Sequence, residues 1–396
     1  MQTLPLRDLA RLFLHLGSTA YGGLAMVEPM RQRVVLERKW LSQKEFLDGL
    51  ALCQMLPGAT VVQLAAYVGF RLRGVKGALT AAGAFIGPAF FLMWGLSFLY
   101  FHWGDLPWVK SLSRGLNAMV IALLLQALWR LAEALGRRWP DFLVAALALA
   151  ALWAGVNYFL VLLAAGLLRL ILEGRPAPLG GPELGIPAFS LSMAGLLLVQ
   201  TLATLTAAAA LLWGLGYWDR VFSQMAWIFF KIGTISFGGG YVMIPILQWE
   251  VVDRLGWLTL RQFLDGILLS YVTPGPLIIL AAFVGFSVRG LAGAALGTFC
   301  VFLPPILLII FLSPFYQQLK ESRWVRPVLQ GILASLVGML ALVAVQMARG
   351  TLTSLPDLAL MLASAAALLA FKVDLRWLVP AVAAASLLLF GTGGGP

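Results

Sequence analysis

The chain has 396 residues, of which 61% are hydrophobic and only 11% are charged, and its mean hydropathy is +0.91. A soluble protein cannot bury that much apolar surface, so the sequence indicates a polytopic membrane protein. The net charge of +11 lies in short basic runs between apolar segments, which is typical of cytoplasmic loops and excludes nucleic acid as the expected partner. The chain has two cysteines and two histidines, which argue against a disulfide framework, a metal site and a redox enzyme, so we expect no cofactor.

The first half divides into apolar runs separated by glycine, proline and basic residues. In chain order these runs cover residues 8–21, 25–39, 40–77, 77–101, 109–131, 141–154 and 157–172. The last two hold about 16 residues each, which is near the lower limit for crossing a bilayer. A loop rich in proline and glycine follows at 173–188, and residues 189–216 form a further apolar run. The sequence therefore predicts an all-α polytopic membrane protein embedded in the lipid bilayer.

Residues 40–77 and 257–293 are two copies of one motif. Each copy begins with Trp-Leu and a capping-box pattern, in which two side chains satisfy the first N–H groups of a helix. The capping residues are Ser42 with Glu45 and Thr259 with Gln262. Each copy then runs through an apolar stretch into a Pro-Gly pair, resumes as a second apolar stretch and closes on Arg-Gly. This pattern predicts a helix that is broken inside the membrane and returns as a re-entrant hairpin.

The similarity between the two halves extends well beyond this motif. Residues 12–23 align with residues 228–239 at an offset of 216, since 228 − 12 = 216. The same offset pairs further prolines, glycines and tryptophans along the chain. We therefore predict an N-terminal transporter repeat at 1–172, a linker loop with a connecting transmembrane helix at 173–216, and a C-terminal transporter repeat at 217–396.

The distribution of basic residues predicts that the second repeat is inverted relative to the first. If the broken segments return to the side from which they enter, each half makes an even number of crossings and the connecting helix turns the second half over. Basic residues are dense at the first-half ends that this topology assigns to the cytoplasm and sparse at the matching ends of the second half. The opposite ends of the second half gain Lys320, Arg323, Arg326, Lys372 and Arg376. The N-terminus is then cytoplasmic, and broken, inverted repeats are typical of secondary transporters with a site near the midplane.

A helix that restarts inside the membrane presents unpaired N–H groups and the positive end of its dipole, and both favour an anion. The sequence predicts four such restarts in two symmetric pairs. They follow Gly22-Gly23, Pro57-Gly58, Gly238-Gly239-Gly240 and Pro274-Gly275-Pro276. We therefore predict that these residues bind a small anion, although glycine and proline also produce ordinary kinks in membrane helices.

Polar side chains near the restarts are further candidates for binding or coupling. The hydroxyls of Thr60, Ser236 and Thr273 could donate to the oxygens of an oxyanion, or they could bond a backbone carbonyl one turn back. Lys231 lies about two turns before the second-half glycines in an apolar helix. It could add positive charge beside the anion, or its ammonium group could extend to the membrane interface.

Glu28 follows the first glycine pair, and the position that corresponds to it in the second half is apolar, Ile244. A carboxylate beside an anion is unfavourable unless it is protonated, so Glu28 is a candidate for proton coupling. The alternative is a helix-dipole partner or a surface carboxylate near Arg31.

Arg73 and Arg289 close the two broken helices, where they could contribute charge to the site or anchor the hairpins at the interface. Asp48 and Asp265 lie one turn into the first helix of each copy. A carboxylate near a helix N-terminus stabilises the dipole, so we expect a dipole or packing role for these two residues rather than one in transport.

Five segments resemble the chromate ion transporter family in its long, two-domain form, and the resemblance spans residues 8–390. They are WLSQKEFLDGLALCQMLPGA, YVGFRLRG, FGGGYVMIPIL, GWLTLRQFLDG and TPGP. The resemblance implies a multi-pass carrier of the inner membrane, not an enzyme, that exports chromate and confers resistance to it. It also implies that the proton gradient or the membrane potential drives transport, and that sulfate, the dianion that chromate mimics, is a related cargo. A homodimer is left open.

The motifs of the family map unevenly onto the two halves. Its Phe-Gly-Gly-Pro motif falls on residues 21–24, which read Tyr-Gly-Gly-Leu here, and its Pro-Gly-Pro falls on residues 57–59, which read Pro-Gly-Ala. The glycines are intact in both cases. The second half has Phe-Gly-Gly-Gly at 237–240 and Thr-Pro-Gly-Pro at 273–276 in full.

Three alternatives stand beside export of chromate by alternating access. The first is an uptake or exchange carrier for sulfate or another oxyanion, because sulfate and chromate share charge and shape. The second is a membrane enzyme that acts on lipid-linked phosphates, although the sequence offers no cluster of His, Asp and Arg suited to acid/base chemistry. The third is an anion channel, which the two-fold repeat around one site disfavours.

Overall fold

The computed structural model describes residues 4–19, 26–104, 106–135, 138–173, 214, 219–236, 240–315 and 325–391. The glycines Gly22, Gly23, Gly238 and Gly239 lie outside these residues, and so does the predicted connecting helix except for residue 214. Within the described ranges the structure has 14 α-helices and no strands. This confirms the prediction of an all-α polytopic membrane protein.

The helices of the two halves follow one another in the same order. The first half contains α1 (Leu6–Thr19), α2 (Val27–Arg31), α3 (Gln43–Met55), α4 (Thr60–Trp103), α5 (Pro107–Ala134), α6 (Trp139–Trp153) and α7 (Tyr158–Leu172). The second half contains α8 (Arg220–Ile235), α9 (Met243–Gln248), α10 (Leu260–Val272), α11 (Leu280–Leu312), α12 (Val325–Thr351), α13 (Leu355–Leu369) and α14 (Leu375–Phe390). Single π-helical turns at Gln32–Glu37 and Trp249–Arg254 continue α2 and α9, and 3-10 turns occupy Gly240–Val242, Leu277–Ile279 and Ser313–Phe315.

Four of the described helices are long and apolar enough to cross a membrane. They are Thr60–Trp103, Pro107–Glu133, Leu277–Leu312 and Pro327–Thr351. Four shorter apolar helices, α6, α7, α13 and α14, accompany them. Helices α6 and α7 are the runs that the sequence placed near the lower limit for a span, and α13 and α14 follow at the end of the second half.

The long helices α4 and α11 each fold back at the Arg-Gly pair that closes the sequence motif. Gly74 and Gly290 have φ values of 61° and 57°, a left-handed conformation that glycine adopts without steric cost. The helical segments before and after each turn are in close contact. A side chain at Gly69 would collide with the backbone carbonyl of Gly77, and one at Gly285 would collide with that of Gly293. The Arg-Gly pair therefore reverses the chain.

Both predicted capping boxes are formed. The side-chain oxygen of Ser42 accepts the N–H of Glu45, while the Glu45 carboxylate accepts the N–H of Ser42 at 2.9 Å. Thr259 and Gln262 make the same pair of bonds at the start of α10. The first box contains a titratable group, and the second does not.

We expect low pH to reduce the stability of the first turn of α3 and to leave that of the first turn of α10 unchanged. The hydrogen bond from the Ser42 N–H, with help from Arg71, lowers the pKa of Glu45 from 4.5 to about 2. The stabilisation from Glu45 is therefore complete above pH 4.5 and is lost as the pH falls towards 2. Hydrogen exchange at pH 6 and pH 3, corrected for the intrinsic rate, should show lost protection in the first turn of α3 alone. Equal losses in α3 and α10 would contradict this.

The two halves interlock around a central pair of helices. Helix α4 packs against α11, and α1 and α8 flank them, α1 on α4 and α8 on α11. The outer helices cross between halves, since α5 packs against α13 and α14 while α12 packs against α6 and α7. Each half therefore supplies the long helix on which the last two helices of the other half rest.

Helices α3 and α10 begin at opposite ends of the long arm of α4, which is the part of α4 after the Arg-Gly turn, residues 75–103. Glu45, in the first turn of α3, pairs with Arg71 at 2.7 Å, next to the Arg-Gly turn where that arm begins. Arg261, in the first turn of α10, donates to the carbonyl of Lys110 at 3.1 Å, just beyond the end of α4. The arm between these two contacts is about 40 Å long at 1.5 Å per residue. The two broken segments thus enter the helical core from opposite directions.

Candidate functional site

The two Pro-Gly breaks lie at equivalent places between the long central helices. Gly58 has a φ of 129° and Gly275 a φ of 120°, so both positions favour glycine. A side chain at Gly58 would collide with Pro305 of α11, and one at Gly275 would lie 2.6 Å from the Cβ atom of Ala89 of α4. Ala89 and Pro305 occupy the same repeat position, because 305 − 89 = 216. Each break therefore faces the central helix of the other half.

The end of α8 joins the first Pro-Gly break through the backbone. The N–H of Gly58 donates to the carbonyl oxygen of Ser236, the residue that follows α8. On the other side of the second-half glycines, Gly240 packs closely against the 3-10 turn that follows Pro276. A side chain at Gly240 would lie 2.6 Å from the Cβ atom of Leu277 and 3.2 Å from the backbone nitrogen of Ile278. The structure thus brings together three of the four predicted restarts, at Pro57-Gly58, at Gly240 and at Pro274-Gly275-Pro276.

The restarting helices have no side-chain caps at these breaks. Ala59 precedes α4 and Pro276 precedes the 3-10 turn at Leu277–Ile279, and neither offers a side chain that accepts from the following N–H groups. The same chain caps the outer starts of α3 and α10 with complete capping boxes. The first N–H groups of a helix require partners. At the breaks the N-cap residue supplies no such partner, while the Ile279 N–H donates to the carbonyl of Pro276 at 2.9 Å.

Two buried polar side chains at the first break have atoms without a hydrogen-bond partner in the described part of the chain. Ser236 is 0% exposed and its Oγ atom is unpartnered. Gln63, also 0% exposed, donates from Nε2 to the carbonyl of Pro57 at 2.7 Å, while its Oε1 atom is unpartnered. Gln63 was not among the candidates predicted from the sequence. It is the one amide side chain in the apolar run after the break, and this feature could have identified it.

The other predicted hydroxyls are also buried near the breaks. Thr60 begins α4 and is 5% exposed, and Thr273 is 2% exposed at the end of α10. The Thr273 hydroxyl donates to the carbonyl of Leu269 at 2.7 Å, the bond to the preceding turn that the sequence left open as the alternative. Of the three hydroxyls, Ser236 is therefore the one with an unpartnered buried oxygen.

Lys231 is engaged in a buried ion pair. Its ammonium group contacts Oε1 of Glu250, which is 0% exposed and also contacts Arg254. The hydroxyl of Tyr158, from α7 of the first half, donates to the same carboxylate at 3.0 Å. Glu250 balances the charge of Lys231, and this ion pair links α8 to the π turn at Trp249–Arg254.

The remaining charged candidates lie away from the breaks. The Glu28 carboxylate is 66% exposed and pairs with Arg31 at 2.5 Å. Arg73 and Arg289 sit at the fold-back turns of α4 and α11, about 20 Å along the helix from the breaks. Arg289 pairs with Asp219 at 3.1 Å and lies over the ring of Phe222. These contacts fit the interface and surface-pair alternatives.

Comparison with known proteins agrees with this architecture. The family described as chromate transporter matches residues 7–170 and 223–389, which are the two halves described above. A chromate transport protein of Pseudomonas aeruginosa is 33% identical over 373 residues, covering 91% of this chain and 85% of its own. A chromate transport protein of Cupriavidus metallidurans is 28% identical over 375 residues, covering 93% and 89%. An uncharacterized transporter of Methanocaldococcus jannaschii is 31% identical over 343 residues, covering 85% and 83%.

No solved structure matches the chain. The family match covers both halves, and the relatives are aligned over most of their own length. The motifs that carry the resemblance include the two Pro-Gly breaks, which lie between the central helices α4 and α11, and the Arg-Gly turns at which these helices fold back. The chain is a multi-pass membrane protein that belongs to the chromate transporter family.

Proposed function

We propose that the protein is a secondary active carrier that exports chromate across the inner membrane and so confers resistance to it. The observation that carries the proposal is the meeting of uncapped helix starts at the centre of the fold. Uncapped N–H groups and helix dipoles bind anions without a charged side chain. The relatives of this chain that bear the name chromate transport protein point to chromate as the anion.

The mechanism that we propose is alternating access around this site. Helices α3 and α10 begin at opposite ends of the long arm of α4, as the inverted repeats proposed for residues 1–172 and 217–396 require. Rocking of the two halves would expose the breaks to one side of the membrane and then to the other. The positive-inside rule places the N-terminus in the cytoplasm.

Ser236 is the side chain that we expect to contact the oxyanion. A hydrogen bond to a charged group contributes about 1.5–3 kcal/mol, so Ser236→Ala should raise the KM for chromate by about tenfold or more. Ser270→Ala is the matched control, because Ser270 is equally buried and its hydroxyl donates to the carbonyl of Gly266 at 2.8 Å. An unchanged KM in Ser236→Ala would remove this residue from the site.

Counterflow in proteoliposomes tests whether the protein is a carrier for chromate. Vesicles loaded with chromate should take up labelled chromate transiently. Excess sulfate should compete with chromate for the site if the site recognises only the charge and shape of the anion. A channel would give a current that follows voltage without saturation, and an enzyme acting on lipid-linked phosphates would give no counterflow. Counterflow with sulfate but none with chromate would reassign the cargo.

A further inference from the structure

Four carboxylates are buried in the described part of the chain. They are Asp141, Glu250, Asp265 and Asp357. Three of them are neutralised by ion pairs, to Arg169, Lys231 and Arg114 respectively. Asp265, which is 3% exposed, forms no ion pair with any described residue. Burying a carboxylate without a cationic partner costs free energy in a membrane protein, so such a residue is a candidate for a functional role.

The groups beside Asp265 are polar, and the positive charge of Arg261 acts on the carboxylate from the same helix without forming an ion pair. The hydroxyl of Tyr100, at the end of α4, donates to Oδ2 of Asp265 at 2.7 Å. Ser113 and Asn117 of α5 lie beside the carboxylate, while its Oδ1 atom makes no hydrogen bond with a described residue. Arg261 is on the same helix, and its Nη2 atom donates to the backbone carbonyl of Lys110 at 3.1 Å.

A cavity lies beside Asn117, one of the residues next to this carboxylate, although Asp265 itself does not line it. The cavity has a volume of about 380 Å³, and its lining includes Lys110, Arg114, Arg261 and Asn117. Asn117 is thus shared between the cavity and the carboxylate. The cavity therefore comes within one side chain, that of Asn117, of the carboxylate.

The fold itself does not require this polar cluster. In the second half, the positions that correspond to the two polar α5 residues at the offset of 216 hold Leu329 and Leu333. The carboxylate that corresponds to Asp265 in the repeat is Asp48, which is half-buried. Symmetry therefore explains an aspartate at this position of the motif, but it leaves the buried, hydrogen-bonded environment of Asp265 unexplained.

We propose that Asp265 is the group that binds and releases the proton to which oxyanion transport is coupled. This rests on the proposed function. It assigns Asp265 a coupling role in place of the dipole or packing role expected from the sequence, and it replaces Glu28 as the coupling residue. The titratable groups that face the cluster are Tyr100 from α4, Lys110 and Arg114 from α5 at the cavity, and Arg261 on α10 itself. The other elements that pack against α10, which are α11, α12, α14 and the turn at Leu277–Ile279, add no titratable side chain to it in the described ranges.

Asp265→Asn tests the assignment in proteoliposomes with a pH gradient and the membrane potential clamped at zero. The parent protein should accumulate chromate about tenfold per pH unit if one proton is coupled to each anion. The variant should lose this accumulation, yet it should exchange internal for external chromate at the parent rate because exchange needs no net proton movement. Asp48→Asn, the matched control, should keep both activities. Accumulation by Asp265→Asn at the parent level would overturn the proposal.

Further outcomes separate this inference from the proposed function. If the parent protein exchanges chromate but ignores the pH gradient, Asp265 is not a coupling group while the carrier function stands. If the parent protein moves no chromate, the proposed function itself fails. Loss of both exchange and accumulation in a folded Asp265→Asn would indicate a structural role and would also overturn the proposal. Tyr100→Phe removes a donor to the ionised carboxylate, so it should move the pH profile of transport towards higher pH.

Discussion

Gly275→Ala is expected to abolish chromate transport. The backbone at Gly275 has a φ of 120°, and the new methyl group would lie 2.6 Å from the Cβ atom of Ala89. The second Pro-Gly break would have to move away from α4, and the uncapped N–H groups that follow it would lose their alignment with the break at Pro57-Gly58. Chromate counterflow in proteoliposomes, with the melting temperature measured in detergent, checks this.

Two controls separate the site from general backbone strain. Gly290→Ala introduces the same kind of backbone strain at a φ of 57°, about 1–3 kcal/mol. In the described ranges, however, the new methyl group would meet no atom within 4 Å outside the backbone of its own turn. This variant should retain transport. Adding Ala89→Gly to Gly275→Ala removes the atom in the way and should restore part of the activity. Full transport by Gly275→Ala alone would show that the break does not bind the anion.

Arg169→Leu should cause the largest loss of stability among substitutions outside the breaks. Arg169 is 1% exposed and its Nε atom donates to Asp141, which is 0% exposed, at 2.6 Å. Removing the cation leaves an uncompensated buried carboxylate, which costs about 3–5 kcal/mol. Because α6 and α7 pack on α12 in the outer layer, the transport rate per folded molecule should change little. Thermal and denaturant unfolding in detergent provide the measurement.

The neighbouring exposed pair is a matched control for this loss. Arg138 is 59% exposed and lies 3.4 Å from Glu173, so Arg138→Leu should cost less than about 1 kcal/mol. Replacing both members of the buried pair, in Asp141→Leu with Arg169→Leu, should recover most of the lost stability, since an apolar pair avoids the desolvation cost. Equal losses for the exposed and the buried arginine would refute this account of the pair.

The features that sequence could predict are those set by the backbone within a few residues. The capping boxes, the Pro-Gly breaks and the Arg-Gly turns each depend on residues whose local conformation is restricted, and each is found where the sequence indicates it. The interlocking of the halves was not predictable in this way. No short sequence motif indicates that α5 packs against α13 and α14 rather than against α6 and α7.

The partners of charged side chains were the other feature that sequence left open. Asp141 and Asp357 occupy the same repeat position, yet Asp141 pairs with Arg169 of its own half and Asp357 pairs with Arg114 of the other. The pairing of Lys231 with Glu250 likewise joins residues 19 positions apart. Such pairs depend on which helix faces reach each other after folding, and one-dimensional spacing does not contain that information.

Everted membrane vesicles test the central claim most directly. Labelled chromate is supplied outside the vesicles, with sulfate as competitor, and the pH gradient and the membrane potential are collapsed separately. We expect energy-dependent accumulation of chromate inside the vesicles, which Gly275→Ala should abolish and collapse of the pH gradient should reduce. No accumulation in everted vesicles, together with inward transport of sulfate in right-side-out vesicles, would contradict export of chromate through this site.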